Sequence, residues 1–251
     1  MAKGSILITG ASSGLGAEMA RQFAALGYDL ALCARRTERL DELAAEIAGA
    51  YPAVRVRTAV LDVTDFDAVP RVFDEFAAEF GRLDRVIVNA GLGKGVPFGK
   101  GGDRPNRQTA VTNFLGAMAQ MEAAMKIFRA QGGGHLVVIS SISALRGMPK
   151  TMTSYAASKA GVAAMAEGIA AEGVPGVDVS IIFPGYIASE MNEKAAHPPK
   201  FLVDTQTGVR SMVSAIEKRR FKAYTPAWPW VPFAYAMKVL PLPIVRRIAG
   251  I

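Results

Sequence analysis

Short apolar runs rich in β-branched residues alternate along this chain with longer stretches of helical pattern, and this alternation restricts the fold more than any other feature. Strands are predicted at residues 5–9, 30–34, 54–60, 85–89, 135–140 and 177–183. Helices are predicted between them at residues 14–26, 39–50, 65–80, 109–131 and 154–172. Buried strands separated by helices build βαβ units, in which helices cover both faces of a parallel sheet. The chain is therefore predicted to have an α/β fold with three layers (α/β/α).

The regular alternation ends after Pro184. A further helix and a short strand are predicted at about residues 205–225, and a segment rich in proline and tryptophan follows. We therefore predict one domain at residues 1–225 and an apolar, basic C-terminal tail at residues 226–251. Ligands of open parallel sheets bind beyond the carboxyl ends of the strands, so functional residues are expected there.

Composition argues against several classes of protein. The 251 residues are 51% hydrophobic and 20% charged, which allows a large core and argues against intrinsic disorder. Cys33 is the single cysteine, so an internal disulfide is impossible, as fits a reducing compartment. The two histidines form no cluster with metal-ligand spacing, and no metal site is predicted. No apolar run approaches the ~20 residues of a spanning helix and no signal-peptide pattern is visible, so a cytoplasmic location is expected.

A glycine-rich turn joins the first predicted strand to the first predicted helix. Its spacing, GxxxGxG, differs from GxGxxG and from the P-loop. Glycines let the backbone turn tightly and approach a pyrophosphate, while free N–H groups and the helix dipole favour its negative charge. An ordinary glycine-rich turn is the alternative. The residues predicted to contact a dinucleotide here are Thr9, Gly10, Ser12, Ser13, Gly14, Leu15 and Gly16.

Two arginines follow the second predicted strand. A site selective for NAD usually has an acidic residue here to hold the ribose 2′-hydroxyl, whereas a basic residue suits a 2′-phosphate. Arg35 and Arg36 have guanidinium groups shaped for bidentate phosphate contact. The alternative is a pair of solvated arginines, but a helix start is a poor position for a cation. The pair therefore predicts NADP(H) binding.

The next two strand ends carry weaker signals for the same ligand. Asp62, followed by Val63, has a carboxylate that would accept a hydrogen bond from an adenine amino group, or else stabilise a turn. The fourth strand ends at Asn89, Ala90 and Gly91, where small residues would allow close packing against a cofactor.

Tyr155 and Lys159 are four residues apart on a predicted helix and therefore share one of its faces. A nearby ammonium group favours the phenolate, so Lys159 is expected to lower the pKa of Tyr155 from about 10 and make it a useful general acid. Ser141, at the end of the fifth strand, is expected to hydrogen-bond a substrate carbonyl. Without its context, the YxxxK pair would be interpreted as an ordinary surface pair.

In this context the sequence resembles the classical short-chain dehydrogenase/reductase family. The resemblance covers about Lys3 to Met191, and its motifs appear in family order: TGxxxGxG, NAG, an asparagine in TNFLG, ISS, YxxSK and PG. It implies a Rossmann-like, doubly wound parallel sheet and a catalytic tetrad. In such enzymes the tyrosine transfers the proton, the serine orients the carbonyl, the lysine holds the nicotinamide ribose and the asparagine maintains a water relay. The tetrad residues would be Asn113, Ser141, Tyr155 and Lys159.

The resemblance also implies cofactor contacts after the sixth strand, from Pro184, Gly185, Ile187 and Ser189. Ser189 stands where the family usually has threonine. The interval between Ser141 and Tyr155 looks one residue longer than usual, so Ser143 stays an alternative to Ser141. A homodimer is the assembly expected from the family, because the glycine-rich last strand used in tetramers is not visible.

The C-terminal tail has its own composition. The net charge is +7, and residues 217–251 include seven basic residues and one acidic residue. Both tryptophans lie there, with Phe233 and Tyr235 nearby. Aromatic and basic residues together suit a membrane surface, while a dimer contact or a cover over the substrate cleft are the alternatives. No nucleic-acid motif accompanies the charge, so no nucleic-acid partner is predicted.

These features together predict an NADP(H)-dependent oxidoreductase that interconverts a carbonyl and an alcohol, with Tyr155 as general acid and base. The apolar tail points to an apolar substrate such as a lipid, a sterol or a long-chain ketone. The alternative is a non-catalytic NADP(H)-binding sensor or scaffold, for which the complete tetrad would have no chemical use. A cytoplasmic protein in contact with the inner face of a membrane is the location expected if the tail binds lipid.

Overall fold

A parallel β-sheet forms the centre of the protein in a computed structural model that describes residues 2–190 and 201–248. In these residues the strand order is β3-β2-β1-β4-β5-β6-β7, and each neighbouring pair is parallel. The order reverses between β1 and β4, which creates the crevice where such sheets bind ligands. The strands are β1 Ser5–Thr9, β2 Asp29–Ala34, β3 Val56–Val60, β4 Arg85–Val88, β5 Gly134–Ile139, β6 Val177–Pro184 and β7 Lys222–Thr225.

Helices cover both faces of this sheet. Leu7 of β1 faces a core built with α3, α5 and α6, whereas its neighbours Ile6 and Ile8 face a second core built with α1, α2 and α7. This alternation follows from the two-residue period of a strand. The helices are α1 Gly14–Ala25, α2 Thr37–Ala50, α3 Ala68–Phe80, α4 Arg104–Ala110, α5 Gly116–Gln131, α6 Thr153–Ala171, α7 Thr205–Glu217, α8 Ala227–Val239 and α9 Leu242–Ile248.

The predicted three-layer α/β class is confirmed, and the differences lie at particular boundaries. The single helix predicted at residues 109–131 is instead α4, one π-helical turn at Val111–Leu115, and α5. α3 begins at Ala68, three residues later than predicted, because Asp65 forms a turn in which its carboxylate accepts a hydrogen bond from the Ala68 N–H at 3.0 Å. A side-chain hydrogen bond of this kind competes with the helical backbone bonds, and hydrophobic periodicity does not predict it.

The segment after β7 contains two helices where the sequence pattern indicated only a tail. Helix α8 packs on β7 and on a 3₁₀ turn at Ile142–Leu145. Trp230 and Ala234 form a small cluster there with Ile142. The C-terminal segment therefore contacts the part of the sheet edge that carries Ser141.

Candidate active site

The glycine-rich turn is held against the end of β4. The Thr9 hydroxyl accepts hydrogen bonds from the backbone N–H groups of Asn89 and Ala90, both at 3.0 Å, and the Asn89 amide donates to the Thr9 carbonyl at 2.8 Å. A Cβ atom at Gly16 would lie 2.3 Å from the Gly10 carbonyl oxygen. Only glycine therefore allows this backbone approach, and the turn forms a cradle with the shape that a pyrophosphate requires.

Arg36 lies directly over this turn. Its guanidinium group donates to the hydroxyl groups of Ser12, at 3.3 Å, and Ser13, at 2.5 Å. Ser13 is the N-cap residue of α1, yet its hydroxyl does not bond the helix N–H groups. The first N–H groups of α1 and the Arg36 cation therefore lie close together, as an anionic ligand with two phosphate groups would require.

Two residues that sequence reasoning did not select complete this charged cluster. Glu190 accepts hydrogen bonds from Arg36, at 3.1 Å, and from Arg39. The hydrogen bond from Arg39 and the charge of Arg36 hold the pKa of Glu190 below its usual value. Arg39 is the third residue of α2, one turn after Arg36, so helical spacing could have identified it.

Arg35 points to the end of β3 instead. Its guanidinium group lies 3.6 Å from the Asp62 carboxylate. Burial opposes the ionisation of Asp62, but hydrogen bonds from the backbone and hydroxyl of Thr64 and the charge of Arg35 outweigh it, so its pKa is lowered. The next residue, Val63, packs closely against Gly116, where a Cβ would lie 2.9 Å from the Val63 carbonyl oxygen.

Two of the four predicted catalytic residues, Asn113 and Lys159, meet at Gly91. A Cβ atom on this glycine would lie 3.2 Å from Asn113 Oδ1 and 3.5 Å from Lys159 Nζ. Lys159 is buried on α6, and its ammonium group donates to the Ile139 carbonyl at 2.8 Å. Tyr155, one turn before it, is partly buried and hydrogen-bonded to the Ser141 side chain.

The pKa values of this pair differ from the prediction. Burial raises the pKa of Tyr155 above 10.0, and the hydrogen bond with Ser141 offsets only part of the effect. Burial also lowers the pKa of Lys159 from 10.5 to about 8. The predicted lowering of the Tyr155 pKa by Lys159 is therefore wrong for this arrangement, because the ammonium group is directed to a backbone carbonyl and desolvation dominates.

Asn113 lies in the π-helical turn, which explains why the helix is irregular at this point. Its side chain pairs with both backbone groups of Leu92: Nδ2 donates to the carbonyl and Oδ1 accepts from the N–H, both at 2.8 Å. Nδ2 also lies 3.3 Å from the Ser158 hydroxyl. Short π segments inside α-helices are frequent at functional sites.

The two candidate serines have different positions. Ser141 is the N-cap residue of the 3₁₀ turn after β5, and its hydroxyl bonds the phenol of Tyr155. Ser143 is buried in that turn, and its backbone N–H donates to the Ser141 hydroxyl at 3.2 Å. The structure thus brings Ser141 to Tyr155 and places Ser143 behind it.

The segment after β6 returns across the glycine-rich turn. Ser189 reaches Gly14, where a Cβ atom would lie 3.5 Å from the Ser189 Cβ. Ile187 is buried and forms a parallel bridge with Val203. Gly185, next to Pro184, packs against the ring of Trp230, since a Cβ at Gly185 would lie 2.0 Å from its Nε1. The packing of Trp230 on Gly185 was not predicted, because the sequence of an apolar tail does not indicate which part of the fold it packs against.

Comparison with known proteins identifies the fold and the family. A family model described as short chain dehydrogenase matches residues 5–200. This protein belongs to the short-chain dehydrogenase/reductase family. An uncharacterized oxidoreductase of Mycobacterium tuberculosis is 50% identical over 245 residues, which are 97% of this chain and 96% of that relative. This short-chain dehydrogenase/reductase is thus an oxidoreductase of that family with a Rossmann-like sheet.

Two further members resemble parts of the chain to different extents. The 11-beta-hydroxysteroid dehydrogenase 1A of Arabidopsis thaliana is 38% identical over 189 residues, which are 75% of this chain and 53% of that relative. The structure of a short-chain dehydrogenase from Sphingobium yanoikuyae in complex with NADPH superposes with a TM-score of 0.81 at 27% identity. That superposition covers 95% of this chain and 97% of the Sphingobium chain.

A cavity of about 580 Å³ lies between the loop before α4, α4 itself and the first turn of α6. Its lining is predominantly apolar. Ser154, which directly precedes Tyr155, closes one side. The lining includes Val96, Pro97, Phe98, Asn106, Ala110 and Ser154.

Proposed function

We propose that this short-chain dehydrogenase/reductase interconverts a carbonyl and an alcohol on an apolar substrate with NADP(H) as its cofactor. The observation that carries the proposal is the Ser141–Tyr155 hydrogen bond, with Lys159 one helical turn away on α6. NADP(H), when bound, supplies or accepts the hydride.

The residues of the chain provide the proton and the orientation. The Tyr155 phenol is protonated at neutral pH, so it carries the proton that an oxygen gaining negative charge would accept. Ser141 has a hydroxyl that would hydrogen-bond the same oxygen and orient it. The Lys159 ammonium, which donates to the Ile139 carbonyl, places a positive charge one helical turn from Tyr155.

The residues near the end of β2 support a phosphorylated cofactor. No acidic residue directly follows this strand; Arg35 and Arg36 stand there instead. Arg36 is already oriented over the pyrophosphate cradle by Ser12 and Ser13. The cradle fits a dinucleotide because its glycines leave open the space that Cβ atoms would fill. NADPH in the Sphingobium relative is consistent with this choice.

The apolar cavity lining and the steroid dehydrogenase among the relatives support an apolar substrate. We also propose a homodimer, which Leu115 and Met118 support because both are exposed apolar residues at the start of α5. Residues 1–225 are proposed as the catalytic domain and residues 226–251 as an appended segment. The proposed location is the cytoplasm, at the inner face of a membrane.

Cofactor titration and turnover test the proposal together. NADPH and NADH would be titrated by fluorescence, and their oxidation followed with a panel of apolar ketones and aldehydes. We expect tighter binding of NADPH, a large part of which is lost in Arg36→Met but kept in Arg57→Met, whose arginine pairs with Glu79 at the far edge of the sheet. Turnover should require Tyr155. Preference for NADH would contradict the assignment of Arg36, and NADPH binding with no turnover on any substrate would favour the sensor alternative.

A further inference from the structure

Helix α8 is apolar on two sides, but the described structure covers only one of them. Trp230, Ala234 and Met237 lie on one face at i, i+4 and i+7 and are only 1–3% exposed. They pack against the sheet edge and the 3₁₀ turn beside the active site. This face is the part of the tail that belongs to the core.

The opposite side of the helix has the same character and faces solvent. Tyr235 is 66% exposed and Val239 is 78% exposed, and Pro232 lies one turn earlier on the same face. Trp228, at the kink that begins the helix, is 78% exposed. Leu242 and Ile244, in α9, are exposed as well. We call this surface the outer face; it consists of Trp228, Pro232, Tyr235, Val239, Leu242 and Ile244.

A helix that is apolar all around is normally buried on all sides. Large contiguous apolar patches are rare on monomeric soluble proteins and mark interaction surfaces. The outer face is an exposed apolar surface of this kind, so we expect it to bind a partner.

The charge around the outer face selects the occupant. From Ala227, where α8 begins, to the last residue the chain contains three basic residues and no acidic one. Lys238 directly precedes Val239, and Arg246 and Arg247 follow within α9. Two copies of the chain meeting through this face would bring these positive charges together, which is unfavourable. An anionic lipid surface attracts basic residues instead, and tryptophan and tyrosine are favoured at a bilayer interface.

We propose that the outer face docks on an anionic lipid bilayer. Trp228, Tyr235 and Val239 enter the interface, and the basic residues bind the headgroups. The contact is peripheral, because within residues 2–190 and 201–248 no helix is long and apolar enough to cross a membrane. The inference does not depend on the proposed chemistry, because no residue of the outer face lines the cavity or belongs to the predicted tetrad.

The two tryptophans supply a built-in probe. Trp230 is 2% exposed and should not respond, whereas Trp228 is in water and should shift its emission to shorter wavelength when it enters lipid. We expect this shift with vesicles of phosphatidylcholine and phosphatidylglycerol, and its absence with phosphatidylcholine alone. Trp228→Phe should remove the shift and leave the emission of Trp230.

Cosedimentation with the same vesicles tests the surface directly. Binding to the anionic vesicles should exceed binding to neutral ones at least tenfold, since each basic residue near the surface contributes about fivefold. Tyr235→Glu with Val239→Glu should lose this binding, while the matched control Tyr51→Glu, at an exposed tyrosine after α2, should keep it. NADPH oxidation with a water-soluble ketone should be the same in the wild type and in all variants. Absence of this activity in the wild type would contradict the proposed function without affecting the lipid-binding result.

Three results would overturn the inference. The first is equal binding of the wild type to both kinds of vesicle, or to neither. The second is anionic binding that survives the double glutamate substitution. The third is dimerisation through the outer face, detected as concentration-dependent sedimentation velocity that the double substitution removes and vesicles do not affect.

Discussion

The sheet carries a cluster of buried polar residues at each end of its strands, and the two clusters are organised differently. At the carboxyl ends, Tyr155 is partly buried and is hydrogen-bonded to the Ser141 side chain. Toward the amino ends, Arg85 is buried and donates to His135, at 3.0 Å, and to Glu217, at 2.7 Å. His135 in turn lies 2.8 Å from the Ser180 hydroxyl, and Tyr28 donates to Glu217 at 3.0 Å.

The difference lies in where the hydrogen-bonding capacity is used. In the Arg85 cluster the protein satisfies each partner: Nδ1 of His135 accepts from Arg85, which leaves Nε2 to donate to Ser180. Such a network stabilises the fold and has no group left for a ligand. In the Tyr155 cluster the tyrosine is only partly buried, so a substrate oxygen can complete the hydrogen bonds of the phenol. Loss of a residue should therefore affect stability in one cluster and turnover in the other.

Tyr155→Phe should give the largest effect and should act on turnover. Removal of the general acid is expected to lower kcat by about 10²–10⁴-fold. The free energy of unfolding should change by less than about 1 kcal/mol, because one partly solvated hydroxyl is lost. Steady-state kinetics and urea denaturation of the same preparation would check both expectations, and a strongly destabilised variant would contradict the proposed contrast.

Arg85→Met should show the opposite pattern. It leaves the Glu217 carboxylate without its buried partner, for which the expected cost is about 3–5 kcal/mol. The matched control Arg57→Met breaks an exposed ion pair with Glu79 and should cost less than about 1 kcal/mol. Turnover per folded molecule should stay near wild type in both variants. If Arg85→Met and Arg57→Met lowered the free energy of unfolding equally in denaturant titrations, the Arg85 cluster would not be the stabilising one.

Lys159 gives the pH dependence of the Tyr155 cluster. Its pKa is about 8, so the ammonium charge is lost as the pH rises through that value. We expect kcat/KM to fall up to tenfold per pH unit above it. Lys159→Arg keeps its charge at high pH, so its profile should stay flat there even if its absolute rate is lower. A wild-type profile that stays flat to pH 10 would be incompatible with this role.

His135 gives a pH dependence of stability, rather than of turnover, in the Arg85 cluster. Burial lowers its pKa from 6.5 to about 3, with the nearby Arg85 charge as a further cause. As the pH falls below 6.5 the unfolded chain binds the proton first, so stability is lost between pH 6.5 and about 3, by at most about 1.4 kcal/mol per pH unit. Denaturation across this range should show a shallower slope for His135→Gln, whose amide keeps one donor and one acceptor. Identical slopes would exclude His135 as the source.

The strands were predictable because apolar runs between helical patterns leave a parallel sheet as the only way to bury both faces. The same logic located the strand ends, and with them the glycine-rich turn and the arginines after β2. The boundary at Ala68 and the π turn at Asn113 were not predictable. They depend on side-chain hydrogen bonds to the backbone, from Asp65 in one case and between Asn113 and Leu92 in the other.

The sequence by itself determined the fold class, the family and the residues able to do chemistry, because these follow from periodicity and motif spacing. The tertiary structure alone decided how those residues are used. Desolvation sets the direction of the Tyr155 and Lys159 pKa shifts, and burial depends on what packs around a helix rather than on its sequence. The tertiary structure also determined which face of α8 is covered and which is the outer face. An all-apolar helix has no periodicity to indicate which side meets the core, so only packing against Ile142 and Gly185 distinguishes the two.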